Sequence, residues 1–291
     1  MSLRQPKRVE LLFPLLAILL AWLGGCGHAP GKPANLRLEQ AVQLGQQGQR
    51  AYQRGDAGAA AGYFEAALRV DISIENHHGI VADRLNLAQA LDALGDAAAA
   101  RRQLDTLLAD RALPLDAEQR ARANAALALL ALKQGGPEEA ARLAGEASLA
   151  CAATCASAAV LYNIQARIAL ERGESSVALT LANQALPLLT DASRQAERAN
   201  AFRIIGLARL ARGETAAALD PLQQALRLDR ELGLPERIVD DLLQLGRAHA
   251  AAGNADMAGD FRRRALAVAE AAADAALVSR VREQQENPHA R

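Results

Sequence analysis

Three cysteines and five histidines are the side chains of this 291-residue chain most able to do chemistry. Cys151 and Cys155 stand four apart in Cys-Ala-Ala-Thr-Cys. Thiols at that separation either close a disulfide across a frayed helix end, if their Cα atoms come within about 7 Å, or serve as two small buried apolar residues. Thiol–disulfide catalysis is not expected, since neither the spacing nor a preceding strand fits it. His77 and His78 follow Glu75 in Glu-Asn-His-His-Gly. They could begin a metal site, but no further ligands stand nearby, so the segment reads as a solvated connecting loop. His249 lies within a helical pattern and reads as a surface or groove residue. No nucleophile elbow, phosphate-cradling glycine loop, zinc-binding helix motif or dinucleotide fingerprint occurs. Neither enzymatic activity nor any cofactor or metal is therefore expected.

The elements that carry these residues are announced by composition. The chain has 69 Ala and 47 Leu, and aromatic residues make up only 3%. Such an excess of two good helix formers predicts an all-helical protein, and the shortage of aromatic residues argues against a sandwich or barrel. Lys plus Arg and Asp plus Glu both number 33. With no basic excess to neutralise phosphates, nucleic acid is not expected as a partner.

A glycine recurs at Gly55, Gly95, Gly135, Gly173, Gly213 and Gly253, in steps of 40, 40, 38, 40 and 40 residues. Five residues after each stands an alanine, at Ala60, Ala100, Ala140, Ala178, Ala218 and Ala258. Seven residues before each stands Gly48, Ala88, Ala128, Ala166, Gly206 or Gly246. Apolar residues on both sides keep a helical period, as in Leu85, Ala88, Leu91 and Leu94, or Leu219, Leu222, Ala225 and Leu226. Each unit thus reads as two amphipathic helices closed by a glycine at positive φ, with small residues where they touch. One such hairpin cannot bury its own apolar face, so the copies must stack into a solenoid. Ala271, Ala275, Leu277, Val278 and Val281 continue the helical pattern beyond the sixth unit. They predict a capping helix over 271–285, its Arg280, Arg282 and Glu283 facing solvent, before a disordered tail at 286–291.

This pattern resembles the tetratricopeptide repeat. Phe202, Gly206, Ala208, Gly213, Ala218 and Ala225 carry the resemblance in the fifth unit, and Gly48, Gly55, Ala60, Phe64 and Ala67 in the first. The 40-residue period and Pro221 inside a second helix are similar to the long-helix variant of kinesin light chain. The resemblance spans 36–270 and implies a right-handed α-solenoid of about six antiparallel helix pairs whose first helices line a concave groove. It also implies that other proteins or peptides are the partners. Aligned by the glycines, the inward polar residues would be Gln46, Gln49, Tyr52, Asn86, Gln89, Arg122, Asn163, Arg167, Arg203 and Arg247. Asn and Gln can donate to and accept from a peptide backbone, and Arg can fork to a carboxylate.

The third cysteine, Cys26, ends a different kind of segment. Arg4, Lys7 and Arg8 precede an apolar run from Leu11 to Leu23, which is too short to span a bilayer at about 20 residues. Leu23-Gly24-Gly25-Cys26 then resembles the bacterial lipobox. The resemblance implies a signal peptide at 1–25, removed before Cys26, and a palmitate-bearing lipid on the Cys26 thiol. Residues 26–35 would be the acylated cysteine and a tether that reaches about 30 Å at most. Gly27, rather than Asp, favours the outer membrane, facing the periplasm. Residues 26–291 carry 30 basic and 32 acidic groups, so lipid rather than a polybasic patch would hold the protein to the membrane.

Overall fold

The computed structural model describes residues 35–151 and 155–286. The signal segment, Cys26, the tether before Asn35, and residues 287–291 lie outside the described residues. Thirteen α-helices follow one another among them. They are α1 (Leu36–Gln53), α2 (Ala57–Ser73), α3 (His77–Ala93), α4 (Ala97–Ala109), α5 (Ala117–Lys133), α6 (Pro137–Cys151) and α7 (Ala158–Glu171). Then come α8 (Ser175–Ala185), α9 (Gln195–Ala211), α10 (Thr215–Glu231), α11 (Pro235–Ala251), α12 (Ala255–Ala271) and α13 (Ala275–Glu286). The first twelve form six antiparallel pairs, and the protein is an all-α solenoid.

Each pair closes where the sequence pattern expects it. The six turn glycines all have φ between 76° and 81°, a region that costs any residue with a Cβ. The next N–H then returns to the carbonyl five residues back, as from Asp56 to Ala51 O at 3.0 Å and from Glu214 to Arg209 O at 2.9 Å. Asp56 and Asp96 cap the following helix by accepting from Ala59 N and Ala99 N, each at 2.9 Å. The alanines five residues past the glycines are 0% exposed, apart from Ala258 at 2%. They lie where helices cross at close range. A Cβ placed on Gly48 would come within 2.6 Å of the Phe64 ring, and one on Gly206 within 2.5 Å of Leu222.

The stack is curved. The first helices α1, α3, α5, α7, α9 and α11 each pack against the next in the series, whereas the second helices make no comparable contact with one another among the described residues. Close spacing on one side and wide spacing on the other bends the array, with the first helices inside.

Several local features depart from the sequence expectation. His77 and His78 are not in a loop. They occupy the exposed first turn of α3, because Glu75 takes φ 51° and lets Ile74, Glu75 and Asn76 make the whole connection. The run over 271–285 is not one helix. Ala273 turns the chain at φ 54°, and Asp274 Oδ1 accepts from Leu277 N at 3.0 Å to start α13. Buried Leu277 and Val281 seat α13 on the sixth pair. Arg280 is half-exposed and also donates to Asp240 of α11 at 2.8 Å. Helix α10 runs on through Pro221. The proline lacks the N–H that would bond Ala217 O, and Arg209 Nη1 donates to that carbonyl instead, at 2.7 Å.

Candidate functional site: the concave groove

The residues expected to line the groove fall into separate rows once the helices are in place. One row stands six positions before each turn glycine and holds Gln49, Gln89, Leu129, Arg167, Leu207 and Arg247. Every member is exposed or half-exposed. Gln46 is exposed and Asn86 half-buried one turn earlier, and Arg122 is exposed on α5.

Another row, ten positions before the glycine, holds Asn163 and Arg203. These two do not present themselves to the groove. Asn163 is 2% exposed and donates from Nδ2 to Glu197 O at 2.9 Å and Glu197 Oε2 at 3.0 Å. Arg203 is locked between repeats. Its Nε donates to Asp241 Oδ1 at 2.7 Å, its Nη1 to Asn200 Oδ1 at 2.8 Å, and its Nη2 to Asp229 Oδ2. Both aspartates are 0% exposed. Burial opposes the Arg203 charge, but Asp241 and Asp229 outweigh it and hold its pKa above the ordinary value. Asp241 is pushed up to about 7 by burial and by Asp229, against the pull of Arg203. Arg167, Arg203 and Arg247 therefore do not form one row of free cations. Arg167 remains open to the groove, yet the surrounding wall strips part of its hydration and Arg203 repels it, so its pKa is lowered.

The N-terminal half of the groove contains a half-open cleft of about 320 Å³. Leu85, Ala88, Leu129, Val160 and Ile164 give it apolar walls, and Tyr52, Gln89, Asp92, Arg122 and Ser157 a polar rim. Apolar walls with a few convergent polar groups are the usual form of a recognition site. Lys133 fixes one edge by pairing with Asp92 at 2.6 Å. The Tyr52 hydroxyl has its pKa raised by burial and by Asp92, while Arg237 and a hydrogen bond with Gln89 act the other way. Arg237 belongs to the sixth repeat and Tyr52 to the first. The curl of the stack thus brings the charges at the start of α11 to bear on the wall formed by α1. Sequence alignment placed Tyr52, Gln89 and Arg122 inward. It did not single out the apolar members between them.

The other chemistry-bearing side chains take structural places. Cys151 and Cys155 are joined by a disulfide, with Cα atoms 5.2 Å apart, between α6 and α7. Glu118 of α5 lies against Cys155 and accepts from Ser157 N at 3.3 Å and from Ser157 Oγ. His249 stacks on Phe261 with ring centroids 5.2 Å apart.

No protein-family model and no curated protein matches the chain. Solved structures do share its fold. A Rap protein complexed with competence and sporulation factor is 15% identical at a TM-score of 0.60, with 80% of this chain and 66% of that chain covered. PilW, a type IV pilus biogenesis factor, is 18% identical at 0.55, with 83% and 97% covered. A signal transduction ATPase with a tetratricopeptide repeat sensor from Pyrococcus horikoshii is 15% identical at 0.63, with 85% and 36% covered. This chain thus spans less than two thirds of the Rap and ATPase chains. The likeness defines the architecture as a tetratricopeptide-like helical-repeat solenoid.

Proposed function

We propose that this protein is a docking protein that holds an extended segment of a partner protein in its concave groove, without making or breaking bonds. The observation that carries this reading is the half-open apolar cleft between α1, α3, α5 and α7, with its hydrogen-bonding rim. A rigid curved wall loses little entropy on binding, which suits capture of a flexible chain. Gln89 is exposed and lines the cleft, so Gln89→Trp should fill it without removing a core contact. Partner recovery after cross-linking from solubilised membranes should fall about tenfold, while helicity and melting stay unchanged. This corresponds to a loss of about 1.4 kcal/mol of binding free energy. Gln223→Trp, on the exposed side of α10, should leave recovery intact.

A second reading is favoured by exposed apolar residues on the outer layer. Leu149 of α6 is 87% exposed, and Val177 of α8 and Leu188 are near half exposed. These would seat the protein as an accessory subunit on a secretion or envelope-assembly complex, a role for which the likeness to a pilus biogenesis factor is a precedent in fold. Loss of recovery with Leu149→Arg, and none with Gln89→Trp, would select this reading.

The Leu-Gly-Gly-Cys segment further supports a bacterial lipoprotein, held by a lipid on Cys26 at the outer membrane and facing the periplasm. Cys26→Ser should abolish metabolic palmitate labelling and move the protein from the membrane to the soluble fraction. A labelled or still membrane-bound mutant would remove the anchor from the proposal.

A further inference from the structure

The repeat register contains the same buried acid pair twice. Asp229 and Asp241 join the fifth repeat to the sixth. Asp71 and Asp83, each 158 residues earlier, join the first to the second. Measured from the turn glycines, their places are identical. Asp71 is 3% exposed and Asp83 5%. Asp71 Oδ1 accepts from Asn76 Nδ2 at 2.8 Å, and Asp83 Oδ2, like Asp241 Oδ2 and Asp229 Oδ1 in the C-terminal pair, has no N–H donor beside it.

The two sites differ in their third member. In the C-terminal site Arg203 fills the space before the carboxylates with a guanidinium. The corresponding residue of α1 is Gly45. A Cβ on Gly45 would meet only Asp83 Oδ1, at 3.8 Å, so the first atom of a side chain has room here and points toward that carboxylate. The acid side is tightly built by comparison. A Cβ on Gly79 would overlap the Asp71 carboxylate, so the first turn of α3 presses directly on it. Arg84 follows Asp83 in sequence, but its Nη1 donates to Gln103 Oε1 at 2.9 Å. Two buried carboxylates that share one proton still carry one negative charge. Arg203 balances that charge in the C-terminal site. Lacking such a partner, Asp83 is driven up to about 8, first by burial and then by the hydrogen bond and charge of Asp71.

We propose that Asp71, Asp83 and the space over Gly45 form a binding site for a guanidinium group, filled by an arginine side chain of the segment docked in the groove. The proposal rests on the docking reading for the source of that arginine, and on the duplicated acid pair for the site itself. Arg203 meets its acid pair with Nε on Asp241 and Nη2 on Asp229, a forked reach that a guanidinium has and an ammonium does not.

The test uses the folded protein with N-acetyl-arginine-methylamide as probe and the lysine analogue as control. The arginine probe should bind saturably, with a Kd on the order of 1 mM, as expected for one desolvated charge-assisted contact. The lysine analogue should bind at least tenfold more weakly, and Asp83→Asn should lose both. Gly45→Arg should close the site from within. It should abolish probe binding and melt at a higher temperature than Gly45→Ala, which gains helix propensity alone. Absence of saturable binding to the wild type, or equal binding of the two probes, overturns the proposal. A Gly45→Arg variant that folds but melts below Gly45→Ala overturns it as well. If Gly45→Arg fails to fold, the probe series on Asp83→Asn decides. Probe binding that persists while Gln89→Trp leaves partner capture intact would keep this site and dismiss the cleft as the dock.

Discussion

Arg203→Ala should cost about 3–5 kcal/mol of folding stability near pH 8. The substitution leaves Asp229 and Asp241 fully buried and removes the cation bonded to both. That loss is a large part of the 5–15 kcal/mol that holds a typical domain, about 10 kcal/mol at the middle. The deficit should depend on pH, with a sign that follows from Asp241. Its pKa in the fold is raised, to about 7, above the ordinary value of 3.8. Its contribution is therefore fully present below the ordinary carboxylate range and is lost as pH rises through about 7. Removing Arg203 removes the downward pull on Asp241, so the loss should extend to higher pH. Asp240, raised chiefly by burial, also loses the downward pull of Arg203 in the variant and keeps that of Arg280, so it shifts in the same direction as Asp241. Urea melts at pH 5 and pH 8.5 should show the larger gap at pH 8.5. The double variant Arg203→Ala, Asp241→Asn should recover much of it, because an amide can donate to Asp229 and carries no charge. A single variant as stable as wild type at both pH values would mean that the pair is hydrated in solution.

Ala218→Glu should cost several kcal/mol, because it buries an unpaired carboxylate at a helix crossing with no room for it. Ala218 is 0% exposed, and its carbonyl lies 3.3 Å from where a Cβ on Gly206 would stand. Ala178→Glu, at the same place one repeat earlier, should behave alike. Gln49→Glu adds the same charge to an exposed position on α1 and should change stability by less than about 0.5 kcal/mol. Thermal melts of the three variants compare them directly. Equal loss in all three would mean that the register of the repeats is wrong, since only that register distinguishes the sites.

These two predictions mark how far the sequence could be read. The 40-residue step, the glycines at each turn and the alanines five residues on were sufficient to place Ala178 and Ala218 at helix crossings. Those features are local. A positive φ, a close approach and an apolar stripe each constrain residue type at one fixed offset, and a repeat protein writes the constraint six times. The groove was read less well. Asn163 and Arg203 share the inward side of their helices with Arg167 and Arg247, so one helix cannot tell them apart. The signal that would have separated them was present, since Asp71, Asp83, Asp229 and Asp241 occupy matching offsets in two pairs of repeats. It lay on the second helix of one unit and the first helix of the next, where an alignment of groove-facing residues does not look.

The sequence by itself determined the architecture, because helix propensity, turn conformation and the need to bury an apolar face act over a few residues or one repeat. Only the tertiary structure decided which inward side chains meet solvent and which are enclosed. That choice depends on how the next repeat stacks. The stacking puts α10 and α11 over Arg203 as it puts α2 and α3 over Gly45, and so brings a buried acid pair to whatever residue stands ten positions before those two turn glycines. Burial raises the energy of an unpaired charge far above its value in water, so the same position carries a locked guanidinium at one end of the solenoid and an unfilled carboxylate pair at the other.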